Sequence, residues 1–83
     1  MQVSIDISLY PLQENYEAII LAFIAQLQQY PALELTTNGM STQVFGAIEA
    51  VFPALQAEMQ NIYERYPQAV LVMKMGKGRL TGA

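Results

Sequence analysis

The chain has 83 residues, enough for one small domain with a modest core, and 53% of them are hydrophobic while only 13% are charged. Four basic residues stand against seven acidic ones, for a net charge of −3 and a pI near 4.5, so the positive patch that a phosphate backbone requires is missing and nucleic acid is not an expected partner. No cysteine and no histidine are present, which removes disulfides, thiol chemistry, the commonest metal ligand and the commonest general base at neutral pH.

Gln2 to Tyr10 alternate strictly, with Val3, Ile5, Ile7 and Leu9 on one side and Ser4, Asp6, Ser8 and Tyr10 on the other. This is the pattern of a strand with one buried face. Pro11 cannot donate to a sheet ladder and ends it. Asn15 is the expected cap of a helix running to about Tyr30, with Tyr16, Ile20, Phe23, Leu27 and Tyr30 on one stripe. Ile19, Leu21 and Ile24 leave little polar surface behind that stripe, so part of this helix is expected to meet a partner. Its apolar run Ala18 to Ala25 is far short of the roughly 20 residues that span a bilayer, and no basic stretch precedes it. The expectation is a cytoplasmic, soluble protein with no membrane partner.

Leu33 to Thr37 and Met40 to Phe45 flank Asn38-Gly39, the signature of a two-residue hairpin turn. Such a turn predicts Thr37 opposite Met40, Thr36 opposite Ser41, Leu35 opposite Thr42, Glu34 opposite Gln43 and Leu33 opposite Val44. One side of the hairpin is then mostly apolar, and the other carries Glu34, Thr36, Ser41, Gln43 and Phe45 beside Ser4, Asp6, Ser8 and Tyr10. A second helix follows Gly46 with Ile48, Phe52, Leu55, Met59, Ile62 and Tyr66 on one stripe. Pro53 is easiest to place if that helix begins near Ala50, where the first amides lack helical partners. Pro67 closes it.

Ala69 to Met75 form a last strand, apolar on both faces except at Lys74. A strand of that kind is expected to be covered on both sides, which implies a second subunit and a homodimer or homotetramer assembled through the sheet. The order strand, helix, strand, strand, helix, strand is that of a ferredoxin-like α+β sandwich: a four-stranded antiparallel sheet with two helices on one face and the other face open. No repeat or linker divides it, so residues 1–76 are read as one domain and residues 77–83, rich in glycine, as a flexible tail.

The open face is the candidate site: Asp6, Ser8, Tyr10, Thr36, Ser41, Gln43 and Phe45. The hydroxyls, amide and carboxylate supply donors and acceptors, while Tyr10 and Phe45 supply flat apolar area, an inventory that suits a small polar heteroaromatic. The competing explanation is a solvated face. Enzyme readings find little footing. Asp6 and Glu34 are the only carboxylates expected on this face, too few for a hard cation and commonest on a sheet as a solvated pair. Gly76-Lys77-Gly78 lacks the helix and pattern of a phosphate loop. No catalytic residue, metal or cofactor is assigned.

The stretches Ile7-Ser8-Leu9-Tyr10-Pro11-Leu12, Met40-Ser41-Thr42-Gln43-Val44-Phe45-Gly46 and Val51-Phe52-Pro53-Ala54-Leu55 resemble, in order, the YkoF-like family of thiamine- and hydroxymethylpyrimidine-binding proteins. The resemblance implies a ferredoxin-like fold that associates through its sheet and binds thiamine or its pyrimidine half without catalysis, in transport, salvage or sensing. On that reading Asp6 accepts from the pyrimidine amino group, Ser8, Ser41 or Gln43 donate to ring nitrogens, and Tyr10 or Phe45 covers the ring. A different class of function is an oligomerisation or regulatory module whose open face is closed by a partner protein.

Overall fold

The computed structural model describes residues 1–81. In chain order the elements are β1 (Gln2–Tyr10), α1 (Tyr16–Leu27), β2 (Glu34–Thr37), β3 (Thr42–Ala47), α2 (Ile48–Arg65) and β4 (Val70–Lys77). The strands form one antiparallel sheet in the order β2-β3-β1-β4, with β1 and β3 at its centre. This is the expected ferredoxin-like α+β arrangement. Among the described residues no helix is long and apolar enough to cross a membrane.

The alternation of β1 decides what is inside. Val3, Ile5, Ile7 and Leu9 are buried against Ile19, Phe23 and Leu27 of α1 and Val51, Ala54, Leu55 and Ile62 of α2. Both helices are rotated slightly from the stripes predicted for them. In α1 the buried line is Ile19-Phe23-Leu27, and Tyr16 stands about half exposed at the sheet's end. In α2 Val51 is fully buried while Phe52 is 46% exposed. The reason lies under Val51, where a Cβ on Gly46 would come 3.1 Å from Val51 Cγ2 and 3.0 Å from the Ala32 carbonyl oxygen. Only glycine lets strand, helix and loop approach so closely, and the helix turns Val51 into that space.

The helix boundaries also shift. Asn15 makes no side-chain cap; its Oδ1 accepts instead from Gln13 Nε2 at 2.6 Å. α1 ends at Leu27, and Gln29 and Tyr30 continue with tighter bonds to residues three back before Pro31. α2 starts at Ile48 rather than Ala50, so Pro53 lies inside it and leaves the Glu49 carbonyl without its helical donor. Glu58 is buried on this side of the sheet, and the Tyr30 hydroxyl donates to its Oε2 at 2.7 Å. That bond pins the end of α1 to α2, and by tying the proton to Glu58 it raises the Tyr30 pKa, with burial adding to the effect.

One expectation for the sheet, the hairpin register, is corrected. The hairpin pairs Thr37 with Thr42, Thr36 with Gln43, Leu35 with Val44 and Glu34 with Phe45, two residues away from the predicted register. The loop is 38–41, because Asn38 Oδ1 accepts from the amides of Met40 at 2.8 Å and Ser41 at 3.1 Å, a side-chain turn that competes with the two-residue one. A slip of two keeps every side chain on its face, so the polar side survives intact. Strand β4 is a sheet edge in the single chain, with Val70, Val72, Met73 and Met75 each 42–50% exposed. Strand β4 runs to Lys77, one residue past the expected domain end, and residues 82 and 83 of the expected tail lie outside the described residues. Lys77 pairs with Val3, Gly78 N–H donates to the Gln2 carbonyl at 2.7 Å, and residues 78–80 fold over the open face.

Candidate functional site

The register of β1 against β3 puts Gln43 opposite Asp6 and Phe45 opposite Ser4 on the face away from the helices. Alternation from Gln43 brings Ser41, just before β3, to the same face. Ser41 Oγ donates to Asp6 Oδ1 at 2.6 Å, Gln43 Nε2 donates to the same oxygen at 2.7 Å, and Gln43 Nε2 reaches Ser41 Oγ at 2.9 Å. The hydrogen bond from Ser41, then that from Gln43, holds the Asp6 carboxyl below its ordinary value of 3.8 against the opposing effect of burial, with Lys74 on β4 helping from across the sheet. Among the described residues Asp6 Oδ2 has no hydrogen-bond partner, so an ionised acceptor remains for a ligand.

The last three residues of β1 run past the start of β3, and the gap opens into a cleft of about 400 Å³ between β1, α1 and the 38–41 loop. Its volume lies in the range of small-molecule sites. Ile20, Phe23 and Ile24 form an apolar wall, Tyr10 and Tyr16 stand about half exposed beside it, and Ser8 and Ser41 supply hydroxyls. Ser41 therefore belongs both to the cleft and to the Asp6 network. Ser8 Oγ makes only a long 3.4 Å contact with the Met40 carbonyl, which leaves its proton readily redirected. The lip turns at Leu12, which adopts φ 59°, a left-handed conformation that costs a leucine roughly 1–2 kcal/mol.

Of the seven predicted residues, the fold brings Asp6, Ser41 and Gln43 into direct contact and places Ser8 and Tyr10 at the cleft. Thr36 lies exposed on β2, opposite Gln43, and takes no part in the Asp6 network. Phe45, expected to be an open stacking platform, is only 5% exposed, because the Arg79 guanidinium lies 4.6 Å from its ring centroid. Residues the sequence reading did not assign also line this face. Lys74 could have been found from its spacing with Val70 and Val72 on β4. Arg79 and Leu80 could not, since glycines break any periodicity around them.

The fold and this polar sheet face define a small ferredoxin-like domain with a pocket at one end of its sheet. The chain belongs to the YKOF-related family, whose family model matches residues 2–78. Among solved structures, a Thermotoga maritima protein with a proposed role in thiamine biosynthesis or salvage is 15% identical, with a TM-score of 0.81 over 94% of this chain and 85% of that one. A hypothetical protein from Methanocaldococcus jannascii is 18% identical, with a TM-score of 0.77 over 98% of this chain and 84% of that one. A domain of unknown function from Bacillus cereus is 16% identical, with a TM-score of 0.76 over 100% and 82%. At these identities the likeness is one of fold. No curated protein sequence matches the chain significantly.

Proposed function

We propose that the chain is a non-catalytic binding protein for thiamine or its hydroxymethylpyrimidine half, acting in thiamine transport, salvage or sensing. The observation that carries this reading is the Asp6–Ser41–Gln43 network joined through Ser41 to the cleft. An aminopyrimidine offers an amino donor and ring-nitrogen acceptors. Asp6 Oδ2 accepts from the amino group, Ser8 donates to a ring nitrogen, and Tyr10 covers the ring. Family membership and the thiamine role proposed for the Thermotoga structure support the ligand class. The protein works by reversible capture in the cytoplasm as a homodimer or homotetramer joined through the sheet, which would bury the exposed Val70, Val72, Met73 and Met75 of the unpaired β4 edge.

That same apolar edge favours the second reading, a regulatory or oligomerisation module that recruits a partner protein through the sheet. Calorimetric titration with thiamine and, separately, hydroxymethylpyrimidine tells the two apart. Saturable binding at one site per chain or chain pair, weakened about ten- to a hundredfold by Asp6→Ala in a folded sample, is the expected result. No heat and no thermal stabilisation by either compound would sink the ligand reading and leave the partner module.

A further inference from the structure

The opposite end of the open face already holds an occupant. Arg79 stacks on Phe45, and its Nη1 and Nη2 donate to the two oxygens of Glu34, the first at 3.0 Å. Glu34 and Phe45 face each other across the β2–β3 ladder, so carboxylate and ring form a fixed receptor corner. Guanidinium satisfies it on two counts, as a planar cation over an aromatic face and as a fork that matches a carboxylate.

The backbone that delivers Arg79 is tied down just before and after it. Ser4 Oγ donates to the Gly78 carbonyl at 2.7 Å and accepts from the Leu80 amide at 2.8 Å, while Gly78 makes the bend at φ 83°. Leu80 then lies over Gly76, where an added Cβ would collide with it. The side-chain latch itself is exposed, at 51% for Arg79 and 56% for Glu34, and exposed pairs of this kind bias an equilibrium only modestly. A competing cation can displace it.

We propose that Glu34 and Phe45 form a subsite for a planar, delocalised cation, which Arg79 fills as an internal stand-in while no ligand is bound. Phe45 faces Ser4, two positions along β1 from Asp6, which is about 7 Å on the same face. A cavity of about 240 Å³ lined by Asp6, Gln43, Phe45, Lys74 and Leu80 lies between them. Lys74 sits opposite Asp6, so a cation is favoured beyond that cavity's Phe45 wall, where Glu34 faces Phe45 across the ladder. If the thiamine reading holds, on which only the ligand's identity rests, the cation is the thiazolium and its pyrimidine lies on Asp6.

The test uses 3,4-dimethylthiazolium, a planar cation without a pyrimidine, and neutral 4-methylthiazole, titrated by NMR into the full chain. Removing the competitor in Arg79→Ala should tighten binding of the cation about tenfold, since apparent affinity scales with the open fraction. Glu34→Gln added to that variant should abolish the gain, and the neutral analogue should bind all three chains equally weakly. In the unmodified protein the cation should speed hydrogen exchange of the Leu80 amide, a readout that stands even if a variant misfolds. Equal affinity with and without Arg79, a gain that survives Glu34→Gln, or an unchanged Leu80 exchange rate at saturation would overturn the proposal. Thiamine titration with Asp6→Ala fails or succeeds separately, so the two readings fall independently.

Discussion

The two faces of β1 are built from the same nine residues and obey opposite rules. Toward the helices, Val3, Ile5, Ile7 and Leu9 are at most 6% exposed, and their contribution is burial of apolar surface. Toward the open side, Ser4 and Asp6 are occupied by hydrogen bonds to distant segments, while Ser8 and Tyr10 border an open cleft. The first face holds the fold together and tolerates little change. The second is a set of polar groups whose partners can be exchanged, which is what a binding surface requires.

This contrast can be broken most strongly from the covered side. Ile7→Ala removes a side chain that is 2% exposed from the centre of the core and should cost about 2–5 kcal/mol, read as a fall in the thermal midpoint. A loss as small as that of an ordinary surface change would mean that the helices do not seal this face. Next in size is Tyr30→Phe, which leaves the buried Glu58 carboxylate without its donor and should cost about 1–3 kcal/mol in a denaturant titration. An unchanged midpoint would show that water or another group replaces the hydroxyl.

The smallest effect belongs to the open side and is a pH dependence. Asp6 and Glu34 both have lowered pKa values, the first chiefly through Ser41 and the second chiefly through Arg79. A depressed carboxylate adds stability that is fully present above its unfolded value and lost as pH falls through its folded one. Both ends of the open face should therefore hold down to the ordinary values of 3.8 and 4.5 and loosen only below them. Carbon-13 titration of the two carboxyls checks this, and either one titrating at or above its ordinary value contradicts the network drawn for it.

Much of this was legible in the chain because it depends on periodicity. The alternation of β1, the order of six elements and the even spacing of Ser41, Gln43 and Phe45 settle which side chains share a face, and an even slip of the hairpin leaves that assignment untouched. The slip itself came from the Asn38 side chain, whose Oδ1 can serve a two-residue turn or bind Met40 and Ser41, and local sequence does not rank those options. The rotation of α2 was hidden for a similar reason. Ile48 and Phe52 read as its apolar stripe until Gly46, on another element, makes room for Val51.

By itself, then, the sequence determined the fold class and the composition of the polar sheet face, because both follow from the alternation of apolar and polar residues along each element. Tertiary structure alone decided which of those polar groups meet. Asp6 gathers Ser41 and Gln43 while Thr36 stays apart, and Phe45 is covered by an arginine that joins Glu34 across 45 positions of chain. Such pairings depend on where loops and a terminal strap close in space, and no pattern of neighbouring residues encodes that distance.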